Sequence, residues 1–351
     1  MICGDLPIIS NSKQINNKQL HQLNLNKLEA ILPFKSGSSS QSFLLDTVGP
    51  TASQENVPIN TVNLNTSVLH VEKSMLPSRA KTGLTKNLLT PVRANKLEAL
   101  LEGYDIGKKQ HLISGFKFGF RINSLFSNYD TNYPKNHRSA RENSDVVNKK
   151  LDKEISLGRI VGPFDNPPFN NFVCSPLGLV PKKEIGEFRL IHDLSFPRGD
   201  SVNSHIPEEF TSVSYQNIET VIELVQRFGF NCLMSKADIK DAFRLIPINP
   251  CEYHLLGFHW NSKFYYDMAL PMGASSSCQL FENFSTALQW ILMDRFKIQG
   301  VSHLLDDFFF VGREGSNACA NALNTFLCLA DSIGVPIKSE KTEQPTTCLT
   351  I

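Results

Sequence analysis

The segment VSHLLDDFFFVG (301–312) constrains this chain more than any other. Two adjacent carboxylates, Asp306 and Asp307, stand between His303-Leu304-Leu305 and Phe308-Phe309-Phe310-Val311. The apolar flanks read as two β-strands joined at the acidic pair. Neighbouring carboxylates at a hairpin tip repel each other unless a cation neutralises them. An Asp-Asp pair can also begin an ordinary solvated turn, for which Asp is well suited. The setting argues against that, because two charges inside a strongly apolar hairpin are costly without a ligand. Asp238, at the end of the apolar strand CLMSKADI (232–239), adds a third carboxylate. Such hard oxygen donors suit Mg²⁺, which leaves positions free for water and phosphate oxygens. Two ions about 4 Å apart can activate an attacking hydroxyl and stabilise a leaving oxygen. Asp238 and Asp306 would bridge them, with Asp307 in support.

Three further segments fit nucleotide chemistry, although each alone has an ordinary structural explanation. ADIKDAFRLIPI (237–248) puts Asp238, Asp241 and Phe243 close together. The Phe243 ring could pack against a sugar at C2′ and leave no room for a 2′-hydroxyl, or could be a core phenylalanine. VPKKEIGEFRLIHD (180–193) offers Lys182, Lys183 and Arg189 on adjoining hairpin strands. Cations there could clamp a triphosphate, or simply solvate a charged hairpin. LPMGASSSCQLF (270–281) is a glycine turn opening a helix, with small residues that permit close approach of a backbone or base pair.

Along the chain, residues 1–88 are expected to be a disordered polar tail. Residues 1–100 hold only Phe34 and Phe43 among the aromatics and are rich in Asn, Ser, Gln and Thr. Such a segment cannot bury enough apolar surface to offset chain entropy. A short amphipathic helix is expected at 19–32. Order is expected from TPVRANKLEALLEGY (90–104), with Thr90 or Pro91 opening a helix and Leu97, Leu100 and Leu101 on one face. HLISGFKFGFRI (111–122) is apolar but broken by its glycines, and 127–143 reads as an exposed basic loop. A helix over 144–158 starts at Ser144 or Asp145, buries a stripe of Val147, Leu151, Ile155 and Leu157, and ends at Gly158. Strands are expected over 172–183 and 187–195. Helices are expected over 211–229, with Ile218, Val221, Ile222 and Val225 inward, over 275–296, and over 319–334 with Gly334 as the cap. Helices and hairpins without regular βαβ alternation argue for an α+β fold.

Residues 1–150 carry 19 Lys and Arg against 11 Asp and Glu, and 151–351 carry 16 against 23. A basic front half suits a polyanion such as nucleic acid, and an acidic back half suits divalent metal, although both also describe ordinary solvated surfaces. No run of apolar residues is long enough for a transmembrane helix, so no membrane partner is expected. The start, MICGDLPIIS, lacks the layout of a secretory signal. Eight cysteines without a CxxC pattern or zinc-finger spacing suggest reduced thiols in a cytoplasmic or nuclear protein.

Taken in order, VPKKEIGEFRLIHD, ADIKDAFR, LPMGASSS, LLDDFFFVG and GVPIKSEKTEQPTTCLTI resemble the successive motifs of reverse transcriptases. They are most similar to those of DIRS-like retrotransposons, which encode a tyrosine recombinase. The loop FPRGDSVNSHIPEEF (196–210) and the stretch LGRIVGPFDNPPF (157–169) carry the subgroup. The resemblance covers roughly 90–351 and implies the fingers and palm of a right-hand polymerase. Fingers would take about 110–204 and 245–275, and palm 205–244 and 276–351. A basic helical lead-in would occupy 89–150 and the reverse transcriptase domain 151–351.

The resemblance implies Asp238, Asp306 and Asp307 as catalytic metal ligands, joined by the carbonyl of Ile239. Lys182 or Lys183, with Arg189, would hold the triphosphate. Asp241, Ala242 and Phe243 would line the nucleotide sugar, and Met272 and Gly273 would sit beside nucleotide and template. Implied partners are an RNA or DNA template with its primer, dNTPs and two Mg²⁺ ions, with Mn²⁺ as a substitute. Basic residues across 108–150 would add salt-sensitive phosphate contacts. Leu304 stands where the family carries Tyr, and Met272 where retroviral enzymes carry Gln. The chain ends at TTCLTI, before the primer-gripping turn, thumb and RNase H domain of relatives. The alternative is therefore a truncated, inactive remnant that at most binds nucleic acid. A metal-dependent nuclease also uses clustered carboxylates, but leaves Phe243 and the Lys/Arg hairpin without a role.

Overall fold

The computed structural model describes residues 90–127, 133–182, 186–216 and 218–350. The expected tail 1–88 and the helix at 19–32 lie outside the described residues, as do Lys183 and positions 128–132 of the basic segment. The elements begin with helices α1 (Ala94–Leu100), α2 (Ile106–Phe118), α3 (Arg138–Glu142) and α4 (Ser144–Ser156). Strands β1 (Ile160–Phe164), β2 (Leu177–Pro181) and β3 (Phe188–His192) follow, then α5 (Ile218–Phe228) and β4 (Leu233–Asp238). Next come β5 (Gly257–Trp260), β6 (Lys263–Asp267) and α6 (Ser277–Asp294). The chain closes with β7 (Val301–Leu304), β8 (Asp307–Gly312), α7 (Ala318–Ile333) and β9 (Glu343–Thr346). Helices and antiparallel strands are mixed, so the fold is α+β as expected.

The strands form a four-stranded sheet in the order β7-β8-β4-β9, a three-stranded sheet β1-β6-β5, and the hairpin β2-β3. The period of two along β8 explains why the larger sheet is covered on both sides. Phe308 and Phe310 face one way, into the core built with Phe281, Phe284, Leu288, Phe326 and Leu329 of α6 and α7. Phe309 and Val311 face the other way and meet Leu224 of α5. The rings of Phe308 and Phe326 stack at 4.4 Å. Each of these fully buried Phe side chains contributes about 1.5–3 kcal/mol by leaving water. A second cluster joins Val147 and Leu151 of α4 to Ile160, Leu177, Leu179, Phe258, Trp260 and Tyr265.

Several local expectations need correction. Helix α2 starts earlier than the glycines suggested, at an Asp105 cap that accepts from Lys108 N at 2.8 Å. It runs straight through Gly115, because the Phe120 ring folds back onto the bare Cα where a Cβ would collide. The loop expected over 127–143 contains α3, with Ala140 fully buried. The N-cap of α4 is Asn143, and Leu157 is exposed. In α5 the buried stripe is Val221, Leu224, Val225 and Phe228, while Ile218 and Ile222 face outward. Its apolar residues satisfy the helical spacing in two phases, and the sheet selects one. The hairpin β5-β6, unanticipated from sequence, turns through Asn261 and Ser262, both at positive φ. That pair of conformations defines a type I′ turn.

The first described residues lock onto the end of α7. Arg93 N donates to Ile333 O at 2.7 Å, and Arg93 Nη1 donates to Asp331 O and Ser332 O. These bonds satisfy carbonyls that a helix end leaves open. Gly334 caps the same helix at φ +80°, and a Cβ there would collide with Pro91 O. Gly334→Ala is therefore expected to cost at least about 2 kcal/mol, from left-handed strain plus the lost docking. Gly315, at φ +69° with open space around it, is the control. Gly315→Ala should cost only about 1 kcal/mol of left-handed strain. Thermal denaturation of the two variants would measure the difference.

Candidate active site

The acidic residues meet where β4 and β8 end. The two strands pair antiparallel from Leu233↔Gly312 to Asp238↔Asp307. Directly opposed residues share a face, with Cα atoms about 4.5–5.5 Å apart, so the Asp238 and Asp307 side chains leave the sheet side by side. Asp306 stands in the two-residue turn between Leu304 and Asp307, not at a strand end, so the turn is Leu305–Asp306 and Asp307 opens β8. Leu305 holds φ +52°, a conformation a branched residue rarely takes. Ile239 N donates to Asp306 O at 2.9 Å, which ties the turn to the end of β4. The four residues expected as metal ligands (Asp238, Ile239, Asp306 and Asp307) are thus brought together by backbone register.

Their electrostatics follow from that crowding. Burial pushes the Asp306 carboxyl above the usual range, and the charges of Asp238 and Asp307 push it further. Burial and then Asp238 raise Asp307 in the same way, partly offset by Lys341, Lys338 and Lys236. Asp238 is only 6 % exposed and is held by two cations. Lys338 Nζ donates to its Oδ1 at 2.5 Å, and Lys341 Nζ lies 3.2 Å from its Oδ2. Both lysines come from the segment between α7 and β9. The donor chemistry fits a hard divalent cation, because three crowded carboxylates carry a charge that such an ion relieves. Among the described residues, however, no three His, Cys, Asp or Glu side chains converge as a ready-made metal cage.

Beside the cluster, Ala242–Leu245 form a turn of 3₁₀ helix behind Asp241, which takes φ +53°. Half-buried Phe243 presents its edge to Phe281 of α6 at 5.8 Å, so α6 fixes the ring. Burial raises the Asp241 carboxyl, but the Arg159 guanidinium, 3.1 Å away, more than offsets this and holds it below the usual range. Behind this turn lies a buried ion network. Arg244 pairs with Glu154 at 2.8 Å and Asp267 at 2.7 Å, and His192 Nδ1 lies 2.9 Å from Asp267. These bonds join α4, β3, β6 and the 3₁₀ turn in one charged core. Breaking such a pair typically costs about 3–5 kcal/mol by stranding a buried charge.

The turn bearing Met272 and Gly273 is held from the other side. His192 N donates to Met272 O at 3.1 Å, and a Cβ on Gly273 (φ +145°) would overlap His192 O. The Asn203 carboxamide donates to Gly273 O at 2.7 Å and accepts from Ser275 N at 2.9 Å. Lys182 and Arg189 share the outer face of the β2-β3 hairpin, since Val180 pairs with Arg189 and Lys182 with Glu187. Lys182 makes an ion pair with Glu187 at 3.3 Å. Among the described residues, no ion pair or hydrogen bond connects Lys182 or Arg189 to the carboxylates. Of the basic positions in 108–150, Lys117 pairs with Glu98 and Arg138 with Glu142.

Sequence reasoning assigned no role to Lys338, Lys341, Asn203, Arg159 or Arg244. The two lysines lie in GVPIKSEKTEQ, a stretch quoted for its family likeness without a role for either lysine. Arg159 and Asn203 lie in stretches noted for likeness alone, and nothing local reveals their partners.

No protein-family model matches the chain, and no curated protein matches it. Among solved structures, it is similar to the native prototype foamy virus protease–reverse transcriptase, at 21% identity and TM-score 0.46, over 64% of this chain and 27% of that one. It is similar also to a foamy viral protease–reverse transcriptase dRH in complex with dsDNA, at 19% identity and TM-score 0.47, over 74% and 42%. A third is the foamy viral enzyme in complex with an RNA/DNA hybrid, at 16% identity and TM-score 0.47, over 70% and 33%. The chain therefore spans between about a quarter and a half of the length of the solved structures it resembles.

Proposed function

We propose that the chain is the fingers-and-palm part of an RNA-directed DNA polymerase, similar to those of DIRS-like retrotransposons. It would extend a primer on an RNA or DNA template with dNTPs. The observation that carries this reading is the register that sets Asp238 opposite Asp307, with Asp306 in the adjoining turn. Three carboxylates from two distant segments lie adjacent at one end of the sheet, with the half-buried Phe243 ring packed on Phe281.

In this reading the side chains of Asp238, Asp306 and Asp307 and the carbonyl of Ile239 would hold two Mg²⁺ ions, or Mn²⁺. Bound divalent ions would lower the pKa of the primer hydroxyl and stabilise the leaving pyrophosphate. The chain's own residues position the rest. The primer 3′-hydroxyl attacks the α-phosphorus and pyrophosphate departs. Lys182 or Lys183, with Arg189, neutralises the triphosphate. Asp241 and Ala242 line the sugar, and Phe243 closes the space a 2′-hydroxyl would need. Met272 and Gly273 form the floor beside nucleotide and template. The held turn and the fixed ring supply orientation before reaction, the main protein contribution to phosphoryl transfer.

Asp306→Asn should reduce Mg²⁺-dependent primer extension on an RNA template by at least about 100-fold, or ~2.7 kcal/mol in barrier. Equal extension by the wild type and the variant would remove the assigned site.

The same variant should gain stability when metal is chelated. The Asp306 and Asp307 carboxyls are raised in the fold, so the folded chain binds more protons than the unfolded chain at pH values between their ordinary and raised positions. Their effect on metal-free stability is therefore most favourable below that window and declines as pH rises through it. In EDTA at pH 7, Asp306→Asn should melt about 2 °C higher than wild type and show a flatter stability–pH curve above pH 4. Denaturation scans across pH check both.

Phe243→Val should increase the use of rNTPs relative to dNTPs by at least about tenfold, or ~1.4 kcal/mol. Single-nucleotide incorporation with each substrate measures the ratio, and an unchanged ratio would rule out the steric gate.

A further inference from the structure

Asp238 is the most enclosed of the three carboxylates and, among the described residues, the one with ion-pair partners. Its oxygens are divided between Lys338 and Lys341. Lys338 is the more sheltered cation, with 23% side-chain exposure against 54% for Lys341, and it makes the closer contact. Its main chain is pinned beside β4. Lys338 N donates to Asp238 O at 2.9 Å, Lys240 N donates to Pro336 O at 2.9 Å, and Ile239 bridges to Ile337. The Lys338 carbonyl accepts from Thr342 Oγ1 at 2.9 Å. The ammonium is thus delivered by an anchored backbone, not by a freely searching surface side chain. Asp306 and Asp307 have no ion-pair partner among the described residues, and it is their carboxyls that are pushed upward. The ion-paired lysines are therefore directed at the Asp238 side of the cluster.

We propose that the Lys338 ammonium is a resident counter-ion that a divalent cation must displace from Asp238, which makes Lys338 a positioning residue that sets the metal affinity of the site. The inference rests on the polymerase reading above and goes beyond it by assigning a residue that opposes metal loading. An ammonium and a divalent ion on one carboxylate repel each other at close range, so occupancy by either weakens the other. Metal entry costs the Lys338–Asp238 contact, and the released ammonium stays tethered at the rim.

Mn²⁺ binding, followed by electron paramagnetic resonance or calorimetry, tests the inference without catalysis. Lys338→Met should tighten Mn²⁺ binding about tenfold, in line with loss of a charged hydrogen bond. Lys236→Met is the control. Lys236 also lowers the Asp307 carboxyl, but it pairs with Glu343 rather than with Asp238. It should shift binding less than about threefold, as expected for a partly exposed charge acting at a distance. Equal effects from the two variants, or none from Lys338→Met, would overturn the inference while the metal site stands. No Mn²⁺ binding to wild type would instead overturn the polymerase reading and the inference with it.

The wild-type chain supplies a second measurement, independent of how the variants fold. Acylation of Lys338, quantified by peptide mass spectrometry, should accelerate at least about threefold when Mg²⁺ replaces EDTA, because its carboxylate partner is taken. An unchanged rate would mean that the ammonium is not displaced.

Discussion

Unbalanced negative charge at the end of one sheet organises this protein. Antiparallel pairing places Asp238 opposite Asp307, and the turn adds Asp306. Cross-strand neighbours of like charge destabilise a sheet. The arrangement persists because everything behind it is over-determined. Phe308 and Phe310 are fully buried against α7, Phe309 and Val311 pack on the opposite face, and Ile239 is sealed beneath the turn. Apolar packing on both faces holds the acidic end in register against its own repulsion. Leu305, at positive φ, belongs to the same pattern of local strain held by surrounding structure.

Around that point the molecule uses charge in two ways. At the carboxylates, lysines from the segment after α7 offset part of the excess. Behind the 3₁₀ turn, Arg244, Asp267, Glu154, Arg159, Asp241 and His192 form a network in which every charge has an opposite neighbour. The network joins α4 and β6 to the 3₁₀ turn that follows the strand ending at Asp238. At the carboxylates the negative charge is offset only in part.

Much of the fold was legible where a pattern admits one phase. Leu97, Leu100 and Leu101, Gly334 as a cap, and the two apolar flanks of the acidic hairpin are all found as the spacing implied. The reading failed where two phases were equally good or where a distant residue decides. The face of α5 depended on which stripe the sheet would cover. Gly115 looked like a helix breaker until Phe120 returned to fill its place. The β5-β6 hairpin lacked the usual glycine, since Asn261 and Ser262 supply the positive φ values themselves.

The sequence alone determined that acidic residues would interrupt strongly apolar strands, with Phe243 a few positions after Asp238, in a mixed α+β chain. Those features are local, set by side-chain type and by periods of two and 3.6. Tertiary structure decided which groups meet. Asp238 and Asp307 are neighbours because of strand register, Arg159 reaches Asp241 across the fold, and Lys338 comes to Asp238 from 100 positions along the chain. Such pairings depend on how elements pack, and no local period encodes them, because charge acts through space and not along the chain.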